Sequence, residues 1–209
     1  MDQKNGKLIV VRHHESEWNK LSKWTGTYDA DLTRNGIEMA EKMGRVIEDI
    51  EIDRAVSSEL KRSYKTLRCM LDASGRSDIE IERSSAINER DYGDHTGKNK
   101  WDMKEIFGEE EFNNIRRAWD HPVPNGETLK MVYQRVIPYY VNDILPGISE
   151  GKNTLLVAHT NSIRALIKYI EDISNEDIKD LEIPFGIFFI YEVDRNSGRI
   201  LKKETRTTK

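Results

Sequence analysis

Residues 8–19 read LIVVRHHESEWN. Four apolar residues run straight into an arginine and two adjacent histidines. The segment Lys7–Val11 is short, β-branched and bounded by polar residues, which predicts a buried strand. Ending such a strand on Arg12, His13 and His14 is costly unless those side chains have work to do there.

The same pattern returns at 153–159, NTLLVAH, a second buried strand with His159 at its carboxyl end. Around these two runs, strand-like and helix-like periods alternate. Thr33 is placed to cap a helix over RNGIEMAEKMGRVIEDI, with Ile37, Ala40, Gly44 and Ile47 on one face. DRAVSS is a short strand candidate, Glu59–Asp72 a helix with Leu60, Tyr64, Leu67 and Leu71 on one stripe, and IEIE (79–82) another short strand. GETLKMVYQRVIPYYVNDIL reads as a long helix that Pro138 kinks or breaks. NSIRALIKYIEDI is an amphipathic helix behind the second buried strand, and GIFFIYEV and GRILKKE flank the turn DRNS as a hairpin. This alternation predicts an α/β fold: a three-layer α/β/α domain with a mostly parallel central sheet and its pocket at the carboxyl ends of the strands. The chain reads as a single domain over 1–209. Residues 83–126, rich in charge, Trp and Gly, read as an excursion from the sheet that carries binding residues over the site.

Lys plus Arg number 33 and Asp plus Glu 37, a formal charge of −4. A mildly acidic chain has no global attraction for nucleic acid or an anionic membrane, so any anion site must be a local cluster of bases. The single cysteine, Cys69, excludes an intramolecular disulfide and suits a reducing cytosol; in KTLRCML it reads as a small core residue. MDQKNGK leads into only four apolar residues, too few for a signal peptide, and no run approaches the ~18 apolar residues of a membrane span. The expectation is a cytoplasmic protein with no nucleic-acid or membrane partner.

In an open α/β sheet, ligands bind outside the carboxyl ends of the strands. Neighbouring strands of the kind described would bring His13 and His159 into one crevice. The turn TNS after His159 offers backbone N–H groups at a helix N-terminus, and Arg12 and Arg62 offer guanidinium forks, all suited to a phosphoryl group. A neutral imidazole in that setting attacks phosphorus to form a phosphohistidine, and the surrounding cations neutralise charge in the transition state. A metal site is the competing reading. The five histidines (13, 14, 95, 121 and 159) and Cys69 show no HxxxH or CxxC spacing, and adjacent His13 and His14 at a strand end point in opposite directions, so no metal is expected.

The blocks RHHESEWN, WTGTYDADLTRNG, SSELKRSYKTL, NERDYGDHTGKNK, RRAWDHPVPNGETL and AHTNSIRAL occur in that order. Together they resemble the cofactor-dependent phosphoglycerate mutases of the histidine phosphatase superfamily, from about Lys7 to Val193. The resemblance implies that His13 is the nucleophile and that Arg12, Arg62 and His159 hold the transferred phosphoryl group, with the Asn161 amide nearby. It implies that Glu89 is the general acid and base for the substrate hydroxyls. Ser16, Asn19, Thr25 and Gly26 would line the site, and Arg90, Tyr92, Lys100, Arg116 and Arg117 would grip the substrate carboxylate and a second phosphate. Two positions depart from the family: His14 and Thr160 stand where the family has glycine. A Cβ there crowds the phosphate, and a positive φ at either position would strain it. On this view His14 is only a crowding side chain, and glycine at position 14 maintains or raises activity.

The implied activity is interconversion of 3-phosphoglycerate and 2-phosphoglycerate in glycolysis and gluconeogenesis through phospho-His13, primed by 2,3-bisphosphoglycerate and without a metal. Two other readings stay open: a histidine phosphatase acting on small phosphate esters, and a non-catalytic relative that binds phosphate ligands. The double arginine and Lys100 weigh against a broad phosphatase, which has no need of further anion clamps. The implied partner is a small-molecule phosphoglycerate. The sequence does not fix the oligomeric state, and a homo-oligomer stays open.

Overall fold

The structure, a computed structural model, describes residues 4–208. Six strands form one sheet: β1 (Gly6–Arg12), β2 (Arg54–Ser58), β3 (Ile81–Ser84), β4 (Thr154–Ala158), β5 (Ile187–Val193) and β6 (Ile200–Thr207), in the order β3-β2-β4-β1-β5-β6. β3, β2, β4 and β1 are mutually parallel neighbours, whereas β5 is antiparallel to both β1 and β6. Only β5 therefore runs against the rest, and the sheet is mixed but mostly parallel.

The apolar run at the start of the chain is continuous because β1 is covered on both faces. Leu8 and Val10 enter one core with Leu156, Ala158 and residues of helices α6 (Leu129–Tyr139) and α8 (Thr160–Ile170). Ile9 and Val11 enter the other with Leu155, Val157 and residues of α2 (Arg34–Val46) and α3 (Lys61–Ala73). Two helical layers thus sandwich the sheet, as the alternation of strands and helices implies. A short α1 (Glu17–Lys20) follows β1. Between β3 and α6 the chain leaves the sheet and forms α4 (Lys100–Phe107) and α5 (Glu109–Arg117). Met103, Phe112, Ile115 and Val123 of this segment pack around Trp24 in a third, smaller core.

Thr33 caps α2, its hydroxyl accepting from the Gly36 N–H at 3.0 Å. The buried face of α2 matches the expected one at Ala40, Gly44 and Ile47 and departs from it at Ile37. Gly36, Ala40, Met43 and Gly44 are buried, and Ile37 is turned to solvent. Gly36 and Gly44 decide this, because any Cβ there would fall within 2.3 Å of the backbone oxygens of Glu15 and Met70. The backbone of α2 approaches its neighbours at those two glycines, and the helix rotates to suit them. On α3 the buried set is Arg62, Ser63, Thr66, Leu67, Met70 and Leu71, so its first turn presents polar groups inward, at the site. β3 begins at Ile81, two residues later than IEIE suggests. Pro138 lies inside α6, and directly beyond it the helix widens into a π turn over Tyr140–Ile144 before α7 (Leu145–Ser149). That widening is a local adjustment of the hydrogen-bond ladder of the sort a mid-helix proline provokes. No helix among the described residues is long and apolar enough to cross a membrane.

Candidate active site

The carboxyl ends of β1, β2 and β4 lie side by side. Arg12 pairs in register with Ala158, and the His13 N–H donates to the Ala158 carbonyl at 3.0 Å. The two histidines that follow β1 and β4 therefore meet: the His13 and His159 ring centroids are 4.9 Å apart. Both are buried. From β2, Ser58 reaches across, with its Oγ 2.7 Å from His159 Nε2, while the same Oγ accepts from the Leu60 N–H at the start of α3.

Both imidazoles are held neutral at pH 7. Burial pushes the His13 pKa well down, and the Arg62 and Arg12 charges add to this against a weaker opposing pull from the His14 carbonyl. Burial does the same to His159, helped by Arg62, His13 and Arg12. His13 Nδ1 lies 2.6 Å from the His14 carbonyl oxygen, so Nδ1 carries the proton and Nε2 keeps the lone pair.

Arg62 is fully enclosed and donates to the carbonyls of Tyr28 and Gly26, each at 2.8 Å. Gly26 makes that contact with φ +52°, a conformation for which glycine is the natural residue. Arg12 donates to the Ile183 carbonyl at 3.2 Å. Enclosure lowers both guanidinium pKa values to about 10, partly offset by Glu89. Arg12 Nε, Arg62 Nε, His159 Nδ1 and Thr25 Oγ1 are buried and have no hydrogen-bond partner among the described residues. Buried donors are rarely left this way unless a ligand completes them.

Glu89 Oε1 accepts from the Arg90 N–H at 2.8 Å and from the Asn161 backbone and side-chain amides at 3.1 Å each, which leaves Oε2 as the oxygen available to a ligand. The Asn161 side chain also donates to the Tyr92 hydroxyl at 3.1 Å. The Asn161 N–H at the start of α8 is thus turned to the Glu89 carboxylate.

One cavity joins these groups. His13, Arg12, Arg62, Glu89, Asn19, Thr25, Gly26, Tyr92, Lys100, Arg116, Arg117 and Asn161 all line it. His159 lies behind His13, and Ser16 lies behind Asn19, whose side-chain oxygen it binds from both its N–H and its hydroxyl. Arg90 is fully buried behind the wall, its guanidinium over the Tyr92 ring at 4.4 Å and hydrogen-bonded to the Ile115 carbonyl. The structure therefore does not bring Arg90 to the cavity surface. Arg117 pairs with Glu182, whereas Arg116 sits over the Phe112 ring at 5.1 Å. Burial lowers the Lys100 pKa to about 8, with the Arg12 and Arg116 charges adding to the effect.

Sequence reasoning passed over Trp24, Arg164, Leu181, Glu182 and Ile183 in the lining, and Ser58 and Phe185 behind it. Ser58 had a readable signal, since it ends β2 as His13 and His159 follow β1 and β4. Arg164 had none, being one arginine in an amphipathic helix. His14 and Thr160 both lack positive φ, so neither departure from glycine strains the backbone; Thr160 opens α8 and lines the cavity, and His14 is buried against Phe185. No group of three or more His, Cys, Asp or Glu side chains among the described residues is arranged to hold a metal ion.

Six cationic side chains (Arg12, Arg62, Lys100, Arg116, Arg117 and Arg164) line this cavity against two carboxylates, Glu89 and Glu182. Such an excess calls for a multiply charged anion. A 2,3-bisphosphoglycerate fits that demand, with unpaired donors on Arg12, Arg62 and His159 and further cations at Lys100 and Arg116.

The sequence profile described as histidine phosphatase superfamily (branch 1) matches residues 8–205. A protein of Parvibaculum lavamentivorans named 2,3-bisphosphoglycerate-dependent phosphoglycerate mutase is 42% identical over 199 residues, 94% of each chain. One of Bradyrhizobium sp. strain BTAi1 with the same name is 43% identical over 91% of this chain and 93% of its own. Among solved structures, Bacillus stearothermophilus YhfR superposes with a TM-score of 0.81 at 24% identity, covering 93% of this chain and 94% of its own. The α-ribazole phosphatase of Shigella flexneri superposes with a TM-score of 0.78 at 23% identity, covering 96% and 95%. These two structures show the fold; the relatives at over 40% identity narrow the family. The chain belongs to branch 1 of the histidine phosphatase superfamily and, within it, to the 2,3-bisphosphoglycerate-dependent phosphoglycerate mutases.

Proposed function

We propose that the protein interconverts 3-phosphoglycerate and 2-phosphoglycerate, a step of glycolysis and gluconeogenesis, through a phosphohistidine at His13. The observation that carries the reading is the neutral His13 ring, fixed with Nε2 as its free nitrogen and set among cations with unpaired donors. 2,3-Bisphosphoglycerate supplies the priming phosphoryl group when bound. In the proposed mechanism His13 Nε2 attacks phosphorus, and Arg12, Arg62 and His159 Nδ1 donate to the phosphoryl oxygens as charge builds on them. In this mechanism the Ser58 hydroxyl, 2.7 Å from His159 Nε2, is the donor, so that Nδ1 is the protonated nitrogen left for this task. Glu89 Oε2 removes the proton from the attacking substrate hydroxyl and returns one to the leaving oxygen, while its Oε1 stays fixed by three N–H donors.

Lys100 and Arg116 hold the substrate's carboxylate and its second phosphate away from His13. A mutase needs this second grip, because the bisphosphate must turn over in the site without escaping to water. The same reading takes the chain as one domain whose 83–126 segment covers the substrate, and places it in the cytoplasm. Support for the covering role comes from Lys100 and Arg116 both belonging to that segment and lining the cavity.

The test is conversion of 3-phosphoglycerate by purified protein in EDTA, with and without catalytic 2,3-bisphosphoglycerate. Cofactor-stimulated formation of 2-phosphoglycerate is the expected result. Release of inorganic phosphate without isomerisation would instead make the protein a phosphatase.

A further inference from the structure

Among the described residues the Arg12 guanidinium has no carboxylate partner and one hydrogen bond, to the Ile183 carbonyl at 3.2 Å. Its second contact is a face: its central carbon sits 4.0 Å from the centroid of the Phe185 ring. His14 also packs on this ring, stacked on Phe185 at 4.9 Å and 29°. Phe185 thus contacts both residues that flank the nucleophile in sequence, and its centroid lies 6.3 Å from that of the His13 ring itself. Arg12 is held twice by one short segment, by a carbonyl at Ile183 and a ring at Phe185. Gly186, at φ +71°, then turns this segment into β5.

The arrangement suits a guanidinium that must be fixed without being consumed. Face-on stacking uses the π surface and leaves the in-plane N–H donors for an anion. A carboxylate partner would have taken those donors. We infer that Phe185 is a positioning residue for phosphoryl transfer, packed against both Arg12 and His14 so that the Arg12 N–H groups stay aimed at the phosphoryl site. His14, at a position where the family has glycine, supplies a second contact that holds the ring. This reverses the expectation that His14 merely crowds the site. The inference rests on the proposed role of Arg12 at phospho-His13, so its test needs a readout besides turnover.

Orthovanadate binding, measured by titration calorimetry on the full chain, is that readout, beside steady-state kinetics with 3-phosphoglycerate. Phe185→Leu, which keeps bulk and removes the ring, is expected to weaken orthovanadate binding about tenfold and lower kcat to a similar degree, with KM for 3-phosphoglycerate within about twofold. Phe185→Tyr, which keeps the ring, restores both. His14→Gly weakens binding about threefold, and the double variant His14→Gly with Phe185→Leu is no worse than Phe185→Leu alone, because His14 acts through the Phe185 ring. Wild-type affinity in Phe185→Leu overturns the inference. If that variant fails to fold, unchanged affinity in His14→Gly overturns it instead. Wild-type protein that binds orthovanadate in a ring-dependent way but does not isomerise 3-phosphoglycerate would remove the mutase reading and leave the positioning role; wild-type protein that binds no orthovanadate overturns both.

Discussion

His13 Nδ1 sits 2.6 Å from the carbonyl oxygen of its own neighbour, His14. A carbonyl only accepts, so this contact sets the tautomer and presents Nε2 as the nucleophile. Replacing His13 by Ala should end phosphate incorporation from 2,3-bisphosphoglycerate and cut turnover by at least about 10³-fold, the scale seen when a covalent nucleophile is lost. Folding should be little affected, because the ring is a buried polar group inside a cationic cluster rather than part of a core. Acid-labile phosphate on the protein and a melting curve check the two halves; activity near wild type would mean that another residue takes the phosphoryl group.

Ser58 connects β2 to this chemistry. Its Oγ is 2.7 Å from His159 Nε2 and also accepts from the Leu60 N–H. Ser58→Ala leaves the Leu60 N–H without its acceptor and frees the His159 ring to take either tautomer. A loss of about 1–2 kcal/mol in stability is expected, together with roughly a tenfold fall in kcat. Denaturant melts and kinetics separate the two. A variant that loses stability but retains full kcat would show that Ser58 only caps the chain turn.

Lys100 has its pKa lowered to about 8, first by burial and then by the charges of Arg12 and Arg116. Two consequences follow with opposite signs. Substrate binding needs the ammonium, so KM for 3-phosphoglycerate should rise as pH climbs through about 8, and Lys100→Arg should abolish that rise. Stability behaves otherwise. The folded pKa lies below the unfolded value near 10.4, so between about 8 and 10.4 the unfolded chain binds more protons, and this group makes the fold more stable as pH rises. At pH 7 the charged lysine is therefore a cost. Lys100→Met should raise stability at pH 7 by on the order of 1 kcal/mol, discounted for the partial exposure of the ammonium, while weakening substrate binding. A melting temperature that falls in this variant would contradict the argument.

The fold was readable where local pattern and tertiary environment agree. LIVV and LLVA are continuously apolar because both faces of β1 and β4 are covered, and parallel neighbours place whatever follows them side by side. On α2 the pattern holds at Ala40, Gly44 and Ile47 and fails at Ile37, because Gly36 and Gly44, not the larger apolar residues, set how closely that helix packs. Phe185 and Arg164 were missed for a related reason. An aromatic in a loop before a strand and a cation in an amphipathic helix are ordinary in sequence; each matters through partners more than 45 residues away, Arg12 for one and Arg116 and Arg117 for the other. The segment at 83–126 announced itself by composition, but its small core around Trp24 did not, because Trp24 comes from a distant loop.

Arg164 ties the C-terminal turn of α5 to Asn161 beside Glu89. It is buried, and its Nη1 donates to the Asn161 side-chain oxygen at 3.2 Å and to the Arg116 carbonyl at 3.3 Å. Its Nη2 donates to the Arg117 and Ile178 carbonyls at 2.7 Å each. One guanidinium thus fixes the C-terminal turn of α5, where the double arginine stands, and the asparagine that orients Glu89. A lysine offers one point donor group and cannot span this fork. Arg164→Lys should leave carbonyls of Arg116 and Arg117 without their partner, destabilising the fold by about 2–3 kcal/mol. It should also raise KM for 3-phosphoglycerate by roughly tenfold, since Arg116 and Arg117 lose their anchor, with a smaller effect on kcat through Asn161 and Glu89. Kinetics below the melting transition make the check: a loss confined to kcat would place the influence of Arg164 on Glu89 alone, and unchanged KM would show that α5 holds its arginines without this tie.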